Sequence, residues 1–261
     1  MNTKRNIYRL LSIFFLVLTS VAAFPQVTIL GDSLSCEGET IRLFAMGPES
    51  YVDEGGVPLI GVGDLLCTDG STVKPDDYAS SGKTAMGVVF YVDTTGVHGW
   101  AASLRTPGGN GCAWNNGSNV TNLPDVVDNY EALADTCGMA NTIAIKDYYG
   151  ENFDECPAVY RCYYYNHNTG QVGNVHYGWY LPAIGQLRKL YSVIHFINPS
   201  IGIAGGTQIP TNKNGMHAPW WLWSSTEYSD INSWTVNDFG WVFYMKKNTS
   251  NVASCRAVRS F

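Results

Sequence analysis

The segment Gly178-Trp179-Tyr180-Leu181-Pro182 leads directly into a stretch with apolar side chains at Ile184, Leu187, Leu190, Tyr191 and Ile194. No other part of the chain limits the fold as strongly. That spacing follows the 3.6-residue period, so residues 183–197 are expected as a helix whose one apolar stripe is a core face. Pro182 suits the first turn, where no amide hydrogen is needed, and Pro199 is expected to end the helix. Around it, composition favours strands and loops. Gly 27, Tyr 16 and Trp 8 with only 15% charged residues suit an aromatic, half-buried sheet surface better than a helical bundle.

The rest of the chain is consistent with that reading. Gly87-Val88-Val89-Phe90-Tyr91-Val92-Asp93 is an apolar run of strand length, and His98 to Leu104 is its expected hairpin partner across the turn from Asp93 to Gly96. Tyr130 to Asp147 has helical spacing at Leu133, Cys137, Ala140, Ile143 and Ala144, broken at Gly138, with a fresh N-cap expected at Asn141 or Thr142. From Trp220 onward short strand-like runs alternate with polar turns, Val242 to Met245 and Ala257-Val258 being the clearest. Near the start, Val27 to Leu30 and Thr40 to Phe44 read as two short strands joined at Glu37-Gly38-Glu39. These resemble the opening strands of a bacterial immunoglobulin-like repeat. The likeness ends near Gly47, so residues 24–59 are expected as a strand-bearing arm and linker.

Lys4, Arg5 and Arg9 precede an uncharged stretch from Leu10 to Phe24, with small residues at Ser20, Ala22 and Ala23. Residues 1–23 are therefore expected to be a secretory signal peptide. Its apolar run is shorter than the roughly 20 residues a membrane span requires, and no second span is expected. Without those basic residues the formal charge moves from −6 to about −9. Nucleic acid is excluded as a partner on this ground, since a phosphate-binding surface needs a basic patch and the longest basic feature is Lys246-Lys247. Seven cysteines in an exported chain suggest disulfides, and the odd number leaves at least one thiol over. No C-x-x-C pair exists, and Cys156 and Cys162 stand too far apart for a usual zinc knuckle.

Three motifs together, Gly178 to Pro182, Trp223-Ser224-Ser225-Thr226-Glu227-Tyr228 and the terminal Arg256-Ala257-Val258-Arg259-Ser260-Phe261, resemble the bacterial C-type-lectin-like domains of the Lcl C-terminal and Fibrobacter-major-paralogous-domain group. The order Gly63-Asp64-Leu65 to Asp69-Gly70, then Gly87 to Asp93, then His98-Gly99 to Leu104, resembles the entry to the same family. The resemblance implies an α+β fold: a C-type-lectin-like domain over 60–261, with small antiparallel sheets, two helices and many loops, behind the short N-terminal β arm. It further implies a cell-surface or secreted protein, binding rather than catalysis, and a long-range disulfide between Cys162 and Cys255. In this framework Trp179, Leu181, Trp223 and Arg256 are core residues.

Gly31-Asp32-Ser33-Leu34 matches the nucleophile block of GDSL hydrolases, which would make Ser33 the nucleophile of an exported esterase. That mechanism needs a histidine base with an aspartate three residues before it. His98, His167, His176, His195 and His217 are preceded at that distance by Thr95, Tyr164, Gly173, Ser192 and Asn214. No triad follows. Kinship of fold with formylglycine-generating enzymes suggests no activity either, because those use a close cysteine pair and the late region holds only Cys255. The histidines lack chelating helical spacing. Trp234-Thr235-Val236-Asn237-Asp238 partly matches the calcium-binding strand of true C-type lectins, but no Glu-Pro-Asn loop accompanies it. No cofactor or metal is therefore expected.

Residues 229–248 have a different texture. Ser229, Asp230, Asn232, Trp234, Thr235, Asn237, Asp238, Phe239, Trp241, Phe243, Tyr244 and Asn248 mix rigid aromatics with short hydrogen-bonding side chains, as adaptable binding surfaces do. Two readings stay open, a ligand-binding face for an unknown protein or glycan and an ordinary sheet edge with aromatics turned outward. The same framework resembles target proteins of diversity-generating retroelements, in which Asn codons of this region are rewritten. Most residues at 229–244 are reachable from Asn codons, but Trp241 and Met245 are not. The function expected is that of an exported, non-enzymatic recognition protein. Its alternatives are the Ser33 esterase and a structural or tip subunit of a surface fibre whose arm at 27–47 adds a strand to a neighbour.

Overall fold

The computed structural model describes residues 59–109, 111–211 and 221–261. The expected signal peptide, the arm apart from Leu59, Ser33 and His217 lie outside the described residues. The chain opens with β1 (Leu65–Cys67) and β2 (Thr72–Val73), a 3-10 turn at Pro75–Asp77 and the single-turn α1 (Tyr78–Ser81). Next come β3 (Ala85–Val92) and β4 (Gly99–Ser103), then α2 (Asn129–Ala134), α3 (Gly138–Tyr149) and α4 (Pro157–Tyr163). A small hairpin of β5 (Tyr165–Asn166) and β6 (Gln171–Val172) precedes α5 (Ile184–Ser192) and α6 (Ile194–Ile203). The last part holds β7 (Trp221–Ser229), β8 (Asn232–Asn237), β9 (Val242–Lys246), β10 (Ala253–Ser254) and β11 (Val258–Ser260).

These strands form a five-stranded sheet in the order β11-β4-β3-β1-β2, a four-stranded sheet in the order β10-β7-β8-β9, and the β5-β6 pair. All pairings among named strands are antiparallel except β10 with β7. The hairpin of β3 and β4 pairs as its sequence suggested, with Val88 opposite Ala102 and a register shift between Val89 and Tyr91. The end of the chain closes the fold. β11 pairs with β4, and Val258 exchanges both main-chain bonds with Tyr180 at 2.9 Å each, tying the last strand to the segment before α5.

Neighbouring residues of the central strands feed two different cores. Leu65, Ala85, Ala102 and Leu222 pack with Ile184, Leu187, Leu190, Ile194, Ile197 and Ile201, while Leu66, Met86, Ala101 and Trp223 pack with Trp114, Trp179 and a set of buried cysteines. Because alternate side chains point to opposite faces, a strand buried on both sides reads as a continuous apolar run. This is the pattern seen at residues 85–90, all buried.

The helices depart from expectation in three places. The expected stripe Ile184, Leu187, Leu190, Tyr191 and Ile194 is buried, but the chain breaks at Val193 and continues as α6, with Pro199 inside it rather than after it. The proline sacrifices one helical bond. Burial of Ile194, Ile197 and Ile201 outweighs that loss, because each buried isoleucine contributes roughly 1.5–3 kcal/mol. The restart after α2 falls at Gly138, not at Asn141 or Thr142. A Cβ at Gly138 would lie 2.4 Å from Gln186 Oε1, and one at Gly185 2.5 Å from the carbonyls of Leu133 and Asp135. Glycine at both points lets α2, α3 and α5 meet backbone to backbone. The expected two helices therefore become several, and the described residues form a mixed α+β fold of small, mostly antiparallel sheets.

The implied bridge between Cys162 and Cys255 is not formed. Cys67, Cys112, Cys156, Cys162 and Cys255 are buried and carry free thiols. Cys255 has two sulfur neighbours rather than one, since Cys112 and Cys162 both interact with its thiol.

Arg256 is 1% exposed. It donates from Nη1 to Ser103 O and from Nη2 to Thr207 O, both at 2.9 Å, while its Nε has no partner. Burial lowers its pKa to about 10. A guanidinium thus joins the end of β4 to the chain beyond α6, a role the sequence marked only as framework. Arg256→Ala is expected to lower stability by about 3 kcal/mol in urea unfolding, since it opens a cavity and orphans two carbonyls. Arg256→Met, which refills the space, should lose less.

Candidate functional site

The region carrying the candidate residues is built on β7. Its register against β8 shifts between Trp223 and Glu227, and a slipped ladder leaves carbonyls unpaired. Ser224 of Trp223-Ser224-Ser225-Thr226-Glu227 and Ser233 of β8 meet that need. Ser224 Oγ donates to Trp234 O at 2.9 Å and Ser233 Oγ to Thr226 O at 3.0 Å. Thr226 Oγ1 accepts from the first amide of α5, Ile184 N, at 3.0 Å and donates to Asp135 Oδ2 at 2.7 Å. The motif therefore fixes β7 to β8 and to the start of α5.

Beneath the sheet lies a buried ion pair. Glu227 and Lys247 have side chains with no exposure, and Lys247 Nζ is in direct contact with Glu227 Oε1. The ammonium also donates to Asp230 O at 2.7 Å and Ser118 O at 3.3 Å and sits 5.2 Å from the centre of the Trp114 ring. Burial lowers the Lys247 pKa to about 8. Of the two adjacent lysines, Lys246 is exposed and Lys247 belongs to the interior.

The twelve candidate residues do not form one face. Asp230, Phe239, Trp241, Phe243, Tyr244 and Asn248 are exposed, and Ser229, Asn232 and Asp238 are half-buried. Trp234, Thr235 and Asn237 are buried at 4%, 0% and 8% exposure, and this corrects their assignment to a ligand-facing surface. Trp234 packs in the main core and donates from Nε1 to Val126 O at 2.7 Å. Asn237 shapes the hairpin turn, its Oδ1 accepting from Phe239 N at 3.0 Å and Trp241 N at 2.9 Å. The turn rests on α5, where Arg188 Nη1 donates to Gly240 O at 3.2 Å.

The exposed aromatics fall into three places around β9. Phe239 and Trp241 stack at the turn with centroids 5.4 Å apart. Tyr244 stacks on Tyr228 at 3.9 Å, and Phe243, on the opposite side of the strand, meets the edge of Trp221 at 5.2 Å. Tyr228 and Trp221 were missed because they precede the polar-aromatic run. A second aromatic cluster was missed altogether. Tyr160, Tyr163 and Tyr164 surround Phe153, and His176 stacks on Tyr163 at 3.9 Å. The run Tyr163-Tyr164-Tyr165 was its only signal in the sequence.

A small cleft of about 10 Å³, no more than room for a water molecule, lies beside β7, lined by Leu123, Pro124, Val126, Asp135, Asn141, Ser225, Thr226 and Glu227. That is below the roughly 300 Å³ at which small-molecule pockets begin, so the surface around β9 is the better candidate site. Among the described residues no group of three or more His, Cys, Asp and Glu is arranged to hold a metal ion, and no helix is long and apolar enough to cross a membrane.

With that geometry in hand, a solved structure offers a comparison. A fimbrial protein from Bacteroides ovatus superposes with a TM-score of 0.50 at 18% identity, over 76% of this chain and 48% of that one. The likeness is one of fold. This chain corresponds to about half the length of that protein. No family model and no curated protein matches the sequence.

The burial pattern separates framework from surface in a measurable way. Trp234→Ala is expected to cost about 3–5 kcal/mol of stability, whereas Trp241→Ala, at a residue 63% exposed, should change it by less than about 0.5 kcal/mol. Paired urea titrations of the two variants check the contrast.

Proposed function

We propose that this chain is an exported, non-enzymatic subunit of a surface fibre that recognises a protein or glycan through the exposed aromatics around β9. The observation that carries the reading is the set of Phe239, Trp241, Phe243 and Tyr244, each 42–63% exposed, on or beside an edge strand. Large aromatics at an unprotected sheet edge invite aggregation unless a partner uses them. Their rings are held by stacking and by the turn at Asn237, so binding would order few side chains. The likeness to a fimbrial protein supports the fibre setting, and the sheet motifs support a C-type-lectin-like ancestry for the domain. In a fibre, the arm over 27–47 would supply a strand to a neighbouring subunit.

Two measurements test the proposal. Fibres sheared from cells that make the protein should contain it, as seen by antibody blotting. Its confinement to the soluble extracellular fraction would remove the fibre setting. The recognition claim is tested on a glycan array and a panel of extracellular proteins. The double variant Trp241→Ala/Phe243→Ala should lose at least tenfold in retention while keeping the parent's melting temperature. Undiminished retention would move the binding face elsewhere.

A further inference from the structure

The second core contains Cys112, Cys156, Cys162 and Cys255 among Trp114, Trp179 and Trp223. These thiols are not alike in their partners. Cys156 Sγ donates to Trp114 O at 3.1 Å, and Cys67, in the first sheet, donates to Leu65 O at 3.6 Å. Cys112 and Cys162 instead each interact with Cys255 in the same core. Backbone geometry distinguishes the two neighbours. Cys112 N donates to Ala253 O at 2.8 Å, and Cys112 O accepts from Trp223 Nε1 at 2.8 Å. The amide of Cys112 is thus fixed against the strand that reaches Cys255 two residues later, where alternation returns the side chain to the same side, and its carbonyl is fixed to Trp223 of β7. Ala253 and Cys255 indeed face the same core. Cys162 sits in the last turn of α4, a helix of seven residues.

We propose that Cys112 and Cys255 form a disulfide when the folding chain meets a disulfide oxidant, and that Cys162 stays beside it as a thiol. A disulfide requires a Cα separation of about 4.4–6.8 Å, and the main-chain bond from Cys112 to Ala253 brings the two backbones alongside each other. In the first step one cysteine thiolate attacks a sulfur of the oxidant and releases one small thiol. The second cysteine thiolate then displaces the other small thiol from the mixed disulfide. Two protein S–H groups become one S–S bond, two electrons pass to the oxidant, and the two protons leave on its thiols.

Such a bond ties the loop before Trp114 to the strand before Arg256. Hydrogen bonding to Cys255 and burial push the Cys112 thiol up, and the Cys255 thiol is also raised well above its usual range. Thiols of raised pKa are poor leaving groups, so displacement of either one from the bond by Cys162 is slowed once the protein has folded. The crosslink is a folding-time event. It does not depend on the fibre or recognition reading.

Trypsin separates the relevant cysteines. Cleavage after Arg105, Lys146, Arg161, Arg188, Lys247 and Arg256 puts Cys112 and Cys137 in 106–146, Cys162 in 162–188 and Cys255 in 248–256. The full chain carrying Cys137→Ser, a change at an exposed position, is refolded with glutathione disulfide, denatured, capped with N-ethylmaleimide and digested without reduction. The expected product is 106–146 linked to 248–256, lighter than the two peptides by two hydrogens, with 162–188 singly capped. A link between 162–188 and 248–256, or capping of all three peptides, overturns the proposal. The same experiment on Cys162→Ala should give the same crosslink, and its loss there would also overturn it.

Discussion

A carboxylate and an ammonium held out of water, Glu227 and Lys247, are the constraint on which the candidate surface depends. Moving either charge alone into the interior costs several kcal/mol, and their attraction offsets this only where further hydrogen bonds complete the site. Here they do. Val120 N donates to Glu227 Oε1 at 3.2 Å, and the ammonium reaches the carbonyls of Ser118 and Asp230. One pair thereby joins β7, the turn between β7 and β8, the chain after β9 and the loop at 118–120. Glu227 Oε2 alone is left without a protein partner, and Glu227 lines the small cleft beside β7.

The main chain reinforces the same junction. Trp114 N donates to Lys247 O at 2.7 Å and Lys247 N to Ile231 O at 3.0 Å, while Trp114 Nε1 donates to Ser224 O at 2.7 Å. With β7 and β8 held from below in this way, the outer strand β9 carries aromatic rings that the core does not need. This division separates the rings that pack in the core from those that face outward. The fixed set includes Trp223, Trp234 and Asn237, and the free set Phe239, Trp241, Phe243 and Tyr244.

Much of the framework was legible because its signals are local. The hairpin of β3 and β4 shows as an apolar run and a turn, α5 as a stripe, and Trp179, Leu181, Trp223 and Arg256 as core. The failures came where a distant contact decides. Pro199 fails to end a helix because three isoleucines anchor that helix to the main core. Lys247 looks like half of a basic surface pair until Glu227 is placed beneath it. In residues 232–237 polar and aromatic residues alternate much as they would on an exposed strand, yet β8 is covered on both sides, so the sequence pattern assigned Trp234 to the wrong side. The cysteine pairing implied by resemblance did not foresee Cys112, whose place beside Cys255 arises from a main-chain bond across the long separation between them.

The most direct test of this account is a double-mutant cycle over Glu227 and Lys247, using Glu227→Gln, Lys247→Met and the double variant, each followed by urea unfolding. If the pair holds the sheet as argued, each single change strands a buried polar or charged partner and costs about 3–5 kcal/mol. The double variant should then cost no more than either single change. Strictly additive losses, or single variants within about 0.5 kcal/mol of the parent, would contradict the claim that the candidate surface is supported by this interaction.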